Sequence, residues 1–158
     1  MSLIVVTGSN LSDKISSLNK AKVELQKHFI LIAESNIFES MAVDYTDQPD
    51  FYNQALEFEI PKLNKDEAMN LILSIEKKLG RVRNIDKGPR TIDIDIIFWG
   101  TESYKSTVLT LPHPSWAERS FVVRPMQQLP FFQTLEKCFK IPHSFIVEAK
   151  PINLSKGK

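Results

Sequence analysis

Apolar and polar positions in the first third of the chain follow two different periods. Residues 3–6 form a short apolar run that ends in a Thr-Gly-Ser-Asn sequence, which is typical of a buried strand followed by a turn. Over residues 12–29 apolar side chains recur at helical spacing between lysines, which predicts an amphipathic helix. Residues 30–38 are rich in β-formers, and residues 51–60 alternate between apolar and polar. These two segments predict a second strand and a half-buried third strand.

The next part of the chain adds one more helix and one more strand. Asn64 is followed three residues later by Glu67, and this pair resembles the capping box at the start of a helix. Gly80 is suited to the end of the same predicted helix. Residues 91–99 alternate again and predict a strand. The core face of this strand is predicted to carry Ile92, Ile94, Ile96 and Phe98.

The predicted elements follow one another as β-α-β-β-α-β, which is the α+β, ferredoxin-like or split βαβ pattern. After Gly100 we expect an additional C-terminal short strand near residues 108–111 and short helices near residues 116–123 and 132–139. A length of 158 residues suits one domain with its own core. We therefore expect a single domain over residues 1–158, with residues 153–158 as a flexible polar tail.

Composition and charge exclude several classes of protein. A hydrophobic fraction of 42% argues against disorder, and a net charge of +1 provides no basic field for a nucleic-acid partner. No segment resembles a signal peptide, and no apolar run approaches the about 20 residues that span a bilayer. We expect a cytoplasmic protein that binds neither nucleic acid nor membrane. Its single cysteine, Cys138, is expected to be a small buried hydrophobic residue rather than a catalytic thiol.

Two aspartates stand on one side of the last predicted strand. Asp93 and Asp95 alternate with the isoleucines, so both side chains point away from the core and lie about 7 Å apart, twice the rise per residue. Aspartate is depleted in strands, and neighbouring carboxylates repel each other unless a cation lies between them. Mg²⁺ takes one or two carboxylates together with substrate phosphates. The pair predicts a divalent metal site, and the alternative is a solvated strand face.

Basic residues precede these aspartates. Residues 76–90 contain six basic residues and two acidic ones, and the arginines Arg81, Arg83 and Arg90 have planar side chains that suit phosphate oxygens. Taken alone, this stretch also fits an ordinary basic surface loop. His113 lies between two prolines, where a histidine is either structural or, beside a phosphate site, a donor to a phosphate oxygen.

Other phosphate-binding motifs are missing from the sequence. It contains no GxxxxGK[ST], no GxGxxG and no kinase catalytic-loop signature. A ferredoxin-like RNA-binding module is one alternative, but its sheet would carry exposed aromatic side chains where this chain has aspartates. Another Mg²⁺-dependent nucleotide enzyme, such as a phosphohydrolase, is a second alternative.

Taken together, these motifs resemble the family of 6-hydroxymethyl-7,8-dihydropterin pyrophosphokinases. The resemblance extends to about Met126, and its most specific part is the GPRTIDIDI run at residues 88–96. The remaining motifs are GSNL at residues 8–11, DQPDFYN at 47–53, Glu76 with GRVR at 80–83, and Pro112-His113 with Arg119 and Phe121.

The resemblance implies a monomeric enzyme that transfers pyrophosphate from ATP to the pterin hydroxymethyl group in folate biosynthesis and uses two Mg²⁺ ions. It implies that Asp93 and Asp95 bind the metal and that the catalytic residues are Arg81, Arg90, Asp95 and His113. It implies that the nucleotide contacts Glu76, Arg83, Arg90, Ile96, Thr110, His113 and Arg119. It implies that the pterin contacts Ser40, Val43, Phe51, Asn53, Asp93 and Phe121, with two aromatic rings around the pterin and an Asn reading its amide edge.

Several positions depart from the pattern of this family. A Trp that often covers the pterin is replaced by Lys87, and an aromatic residue that often follows the histidine is replaced by Pro114. Polar residues that can contact ATP are replaced by Leu73 and Val108. The loops over residues 41–50 and 83–88, which we expect to close over the substrates, also differ in sequence. A degenerate homologue that binds its substrates poorly is therefore a third alternative.

Overall fold

The structure is a computed structural model that describes residues 1–10, 13–41, 50–80 and 92–153. Its described residues form eight strands, four α-helices and one 3₁₀ turn. In chain order these are β1 (Ser2–Ser9), α1 (Lys14–Gln26), β2 (Leu31–Glu34), β3 (Phe38–Ser40), β4 (Phe51–Glu59), α2 (Lys65–Lys78), β5 (Asp93–Trp99), β6 (Tyr104–Lys105), β7 (Thr110–Leu111), the 3₁₀ turn (Trp116–Glu118), α3 (Ser120–Met126), α4 (Phe132–Cys138) and β8 (Lys150–Pro151).

One antiparallel sheet organises the molecule. Strand β1 lies between β4 and β5, and the strand order is β5-β1-β4-β3-β8, with β2 also paired to β4. A separate hairpin joins β6 to β7. Helices lie on both faces of the sheet, so the chain has the predicted α+β class.

The first two helices confirm the sequence pattern. Helix α1 buries Leu18, Ala21 and Leu25 against one face of the sheet. Helix α2 begins with the predicted capping box, in which the Asn64 side chain accepts a hydrogen bond from the Glu67 amide at 2.9 Å. Gly80 follows this helix with a φ of 87°, a backbone conformation that favours glycine.

The predicted strand over residues 30–38 is wrong as a single element, because it is two short strands. The Oγ atom of Ser35 accepts a hydrogen bond from the Ala55 amide at 2.9 Å, in the position of a main-chain carbonyl. The Gln54 side chain in turn donates to the Ser35 carbonyl at 2.8 Å. These side-chain hydrogen bonds interrupt the pairing with β4 at the point between β2 and β3.

Strand β4 is buried on both faces, which corrects the prediction of a half-buried strand. The supposed polar face includes Asn53 and Glu57, which are 5% and 3% exposed. The Glu57 carboxylate accepts hydrogen bonds from the Ser2 hydroxyl at 2.9 Å and from the Phe131 amide at 3.0 Å. These two hydrogen bonds offset the desolvation of the buried carboxylate. Glu57 is therefore a structural residue that connects the sheet to the C-terminal helices.

A β-bulge changes the direction of side chains along β5. Ile4 of β1 is opposite Phe98 and Val5 is opposite Ile96, so Ile97 is an extra residue without an opposite partner. Ile96 packs with the first two helices, whereas Phe98 packs on the other face with Trp116. The prediction that Phe98 shares a face with Ile96 is therefore wrong, since one extra residue reverses a period of two.

The C-terminal elements cover the second face of the sheet. The predicted helix over residues 116–123 is a 3₁₀ turn followed by α3, and the helix predicted over residues 132–139 is α4. Cys138 is exposed, contrary to prediction; it is the last residue of α4, whose buried residues are Phe132 and Leu135. Strand β8 was not predicted. Residues 154–158 of the predicted tail lie outside the described residues. Within the part of the chain that the structure describes, no helix combines the length and apolarity required to cross a membrane.

Candidate active site

Residues from three strands form one row across the sheet. Gly8 of β1 is opposite both Asn53 of β4 and Asp93 of β5. Directly opposite residues of antiparallel strands share a face, so Asn53 and Asp93 lie on either side of a residue that has no side chain. Asp95 is opposite Val6 in the next row on this same face. We call the face that carries these residues the site face.

Glycine is required at the centre of this row. A Cβ atom at Gly8 would lie 2.5 Å from Asn53 Nδ2, which is closer than van der Waals contact allows. The space that the missing side chain leaves is occupied by the Asn53 amide, whose Nδ2 donates to the Thr7 carbonyl at 3.3 Å. Gly8 therefore fixes the position of the Asn53 side chain.

Within the part of the chain that the structure describes, two buried polar atoms on the site face lack a hydrogen-bond partner. They are Asn53 Oδ1 and Ser40 Oγ. Ser40 is opposite Phe51 in the pairing of β3 with β4, so both predicted pterin-binding residues lie beside Asn53. Buried polar atoms without partners carry a desolvation cost that a bound ligand can remove.

A buried glutamate holds the strand that carries the aspartates. Glu76 of α2 is 3% exposed, and its Oε2 accepts a hydrogen bond from the Ile94 amide at 2.7 Å. Ile94 lies between Asp93 and Asp95 along β5. This hydrogen bond connects α2 to β5, and it thereby helps to fix the positions of both aspartates.

His113 is held beside the aspartates by two main-chain contacts. Its amide donates to the carbonyl of the bulged Ile97 at 2.9 Å, and its Nδ1 accepts from the Ser115 amide at 3.2 Å. Because Nδ1 is the acceptor, the neutral ring carries its proton on Nε2, which is free to donate.

The surroundings of His113 favour this neutral form. Burial lowers the pKa of the imidazole below its ordinary value of 6.5, the positive charge of Arg119 lowers it further, and the charge of Asp93 acts in the opposite direction. His113 is therefore a neutral hydrogen-bond donor between a carboxylate and an arginine.

Arg119 and Phe121 lie together at the start of α3. The Arg119 guanidinium is 5.6 Å from the centre of the Phe121 ring, and both residues are half-buried. The charge of Arg119 also acts on His113. Arg119 thus lies near both the predicted phosphate site and a predicted pterin ring.

A cavity of about 300 Å³ opens beside Asp95. Four residues predicted to contact the metal or nucleotide line it, namely Asp95, Ile96, Thr110 and His113. The other walls are mostly apolar and come from α2, the hairpin turn and the residue after the histidine: Met69, Ser106, Thr107, Val108, Leu109 and Pro114. One cavity therefore combines acidic and hydrogen-bonding side chains with apolar ones.

A second cavity of about 400 Å³ lies beside Arg119. It is lined by the predicted residues Ser40, Arg119 and Phe121. Its remaining walls include Phe145, Ile146 and Val147 of the C-terminal segment. Sequence patterns did not indicate a role for this segment, because its apolar residues follow no helical or strand period.

Four predicted site residues lie outside the described residues, namely Arg81, Arg83, Arg90 and Val43. The loops expected to close over the substrates lie mostly there as well. Among residues 1–10, 13–41, 50–80 and 92–153, no group of three or more His, Cys, Asp or Glu side chains is placed to hold a metal ion.

Comparison with known proteins identifies the origin of this arrangement. The family model of 7,8-dihydro-6-hydroxymethylpterin-pyrophosphokinase matches residues 4–130. The chain belongs to this family. The match covers the row through Gly8, the bulged strand β5, the β6–β7 hairpin with His113 after it, and α3.

Relatives from bacteria, fungi and plants are similar to this chain. The 2-amino-4-hydroxy-6-hydroxymethyldihydropteridine pyrophosphokinase of Bacillus subtilis is 36% identical over 79% of this chain and 75% of the relative. The folic acid synthesis protein fol1 of Pneumocystis carinii is 39% identical over 75% of this chain and 16% of the relative. The mitochondrial folate synthesis bifunctional protein of Pisum sativum is 35% identical over 80% of this chain and 25% of the relative. The chain thus spans three quarters of the bacterial relative and a quarter or less of the other two.

Replacement of Gly8 by alanine tests the central row of the site face. We expect Gly8→Ala to displace the Asn53 amide, because the new Cβ would lie 2.5 Å from Nδ2. The Michaelis constant for the pterin should rise about tenfold, the cost of about one hydrogen bond. Steady-state kinetics with each substrate varied in turn would measure this change. The constant for ATP should remain unchanged, and an equal rise for both substrates would contradict the assigned position of Asn53.

Proposed function

We propose that this chain transfers the pyrophosphoryl group of ATP to the hydroxymethyl group of 6-hydroxymethyl-7,8-dihydropterin, releasing AMP, with Mg²⁺ bound at Asp93 and Asp95. The observation that carries the proposal is the arrangement on the site face. There two half-buried aspartates on β5 share a face with Asn53 of β4, whose buried Oδ1 has no hydrogen-bond partner among the described residues. A metal-phosphate site beside a site that recognises an amide edge is the arrangement that this reaction requires.

We assign the nucleotide to the cavity beside Asp95. Its apolar walls suit a flat nucleobase, and Thr110 and His113 suit the polar part of the nucleotide. The neutral His113 donates from Nε2 to a phosphate oxygen, while Arg119 supplies positive charge. Arg83 and Arg90 complete this set as implied by the family motif. Glu76 acts by holding β5 at the Ile94 amide.

We assign the pterin to the space around Asn53. Its Oδ1 accepts from the amide edge of the pterin, and the hydroxyl of Ser40 supplies a second polar contact. The rings of Phe51 and Phe121 flank the pterin plane, since stacking recognises a flat heterocycle. Val43 belongs to the same site in the family motif.

The residues present fit a magnesium site. Two carboxylates on one strand face provide the oxygen ligands that Mg²⁺ prefers, and substrate phosphates complete its coordination. We propose two ions, shared by Asp93 and Asp95. When bound, Mg²⁺ neutralises phosphate charge and lowers the pKa of the attacking hydroxyl.

The transfer breaks one bond and forms one bond. The hydroxymethyl oxygen attacks the β-phosphorus of ATP, and the bond from that phosphorus to the oxygen of AMP breaks. Asp95 accepts the proton of the hydroxyl. Arg81, Arg90 and His113 stabilise the negative charge that develops on the leaving AMP. Catalysis by these residues consists chiefly of positioning and charge stabilisation.

Other features follow from the same proposal. The strand order β5-β1-β4-β2 with two helices on one face supports a ferredoxin-like domain, to which the C-terminal elements add a second helical layer. We propose that residues 1–158 form one domain that acts as a cytoplasmic monomer without membrane association. A single cysteine is consistent with a reducing compartment.

Product analysis tests the proposed reaction. The protein is incubated with ATP, Mg²⁺ and 6-hydroxymethyl-7,8-dihydropterin, and nucleotides and pterins are separated over time. We expect AMP and a pterin diphosphate to appear in equal amounts, and a reaction in EDTA serves as the control for metal dependence.

Two other results would replace the proposal. Formation of ADP or inorganic phosphate would indicate a different Mg²⁺-dependent nucleotide enzyme on the same fold. Absence of any product would indicate a degenerate homologue, in which the departures at Leu73, Val108 and Pro114 have reduced substrate binding.

A further inference from the structure

The turn of the β6–β7 hairpin forms one wall of the cavity beside Asp95. Ser106, Thr107, Val108 and Leu109 all line this cavity, and Thr110 follows them at the start of β7. Met69 of α2 lines the same cavity. The space between the turn and Met69 therefore depends on how the hairpin is held against the first turn of α2.

The hydroxyl of Ser106 makes hydrogen bonds both within this turn and to α2. Ser106 Oγ accepts hydrogen bonds from the Val108 amide and from the Leu109 amide, each at 3.2 Å. It donates its own proton to Asp66 Oδ1 at 2.7 Å. This oxygen atom thus reinforces the turn, which a main-chain hydrogen bond from the Ser106 amide to the Leu109 carbonyl at 2.9 Å also closes, and it connects the turn to α2.

Asp66 belongs to the first turn of α2, three residues before Met69. Its Oδ1 atom accepts from two hydroxyls, that of Ser106 at 2.7 Å and that of Tyr104 at 3.0 Å. All three residues are half-buried, so water competes only partly for these hydrogen bonds. Tyr104 does not line the cavity, which makes it a natural control.

We propose that Asp66 and Ser106 are positioning residues for the nucleobase, because they fix the hairpin wall at a set distance from Met69. Neither residue takes part in phosphate transfer. This inference rests on the proposed function, since it assigns the cavity to the nucleotide. The two residues would thus contribute to recognition of the base. Val108 at the same turn has an apolar side chain, so recognition there depends on shape and apolar contact.

Direct binding separates this inference from the reaction itself. The probe is an ATP analogue with a methylene bridge between its α- and β-phosphates, titrated calorimetrically in the presence of Mg²⁺ and without pterin. Inorganic tripolyphosphate is titrated in the same way, because it occupies the phosphate end and lacks a base. Thermal unfolding is recorded for every variant.

We expect Ser106→Ala and Asp66→Ala to weaken binding of the ATP analogue about tenfold, the effect of losing about one or two hydrogen bonds. Binding of tripolyphosphate should be unchanged. Asp66→Asn keeps an oxygen acceptor at the same place and should bind the analogue nearly as well as the original protein. Tyr104→Phe removes only the other hydroxyl on Asp66 and should also bind normally.

Three outcomes would overturn the inference. Unchanged binding of the analogue by Ser106→Ala would show that the wall does not position the base. An equal loss by Tyr104→Phe, or an equal loss of tripolyphosphate binding, would show a general effect on the fold or on the phosphate end. Failure of the original protein to release AMP would disprove the proposed reaction and leave the binding comparison intact. If Asp66→Ala does not fold, Ser106→Ala and Asp66→Asn still decide the question.

Discussion

Asp95→Ala is expected to reduce pyrophosphoryl transfer by about a thousandfold, because metal-assisted charge stabilisation supplies several kcal/mol to such reactions. Asp95 is half-buried at the edge of the cavity and lies opposite Val6 on the site face. The free energy of unfolding should change by about 1 kcal/mol or less, since no core packing is lost. Single-turnover kinetics and urea unfolding measure the two quantities on the same preparation.

A matched control separates the loss of Asp95 from the general effect of removing a carboxylate from the sheet. Glu59 is an exposed carboxylate at the far end of β4, and Glu59→Ala should retain full activity. Asp95→Asn keeps the shape of the side chain and should nevertheless lose activity as Asp95→Ala does. Loss of folding in both Asp95 variants would show that this aspartate is structural.

Phe98→Ala is expected to destabilise the protein by about 3–5 kcal/mol, the usual cost of removing a buried phenylalanine. The Phe98 ring is fully buried, 5.1 Å from the ring of Trp116 and 5.2 Å from that of Phe139, measured between centres. For a chain of this size the melting temperature should fall by about 6–20 °C. Differential scanning calorimetry provides this measurement.

A double-mutant cycle tests which face Phe98 occupies. We expect Phe98→Leu and Trp116→Leu to show a coupling of about 0.5–1.5 kcal/mol, as aromatic pairs do. On the opposite face Ile72 packs with Ile96, and Phe98→Leu with Ile72→Val should be additive within about 0.5 kcal/mol. Coupling to Ile72 and none to Trp116 would mean that the bulge at Ile97 does not form.

Local signals made the helices and the shared face of the two aspartates predictable. The capping box at Asn64 and the positive φ of Gly80 depend on contacts within a few residues, and both are present. The placement of Asp93 and Asp95 on one face required only the alternation of a strand before any bulge. The predicted pterin residues Ser40, Phe51 and Asn53 came from motif resemblance, and the pairing of β3 with β4 now brings them together.

Predictions failed where distant parts of the chain decide the outcome. Glu57 was expected on a solvent-facing side, but it is buried because α4 begins above it and the Phe131 amide donates to its carboxylate. Strand alternation cannot reveal that a second layer will cover a face. The split between β2 and β3 likewise depends on Ser35 and Ala55, which are far apart in the sequence.

By itself, the sequence determined the α+β class, the two ends of α2 and the placement of Asp93 and Asp95 on one strand face, since these depend on side-chain type and short-range period. Only the tertiary structure decided that the extra residue Ile97 turns Phe98 to the second face and offers its carbonyl to His113. Only it decided that Gly8 leaves the space that the Asn53 amide occupies. The physical reason is the same in both cases: register between strands and close approach of backbones are set by pairing over long sequence separations, which no local pattern records.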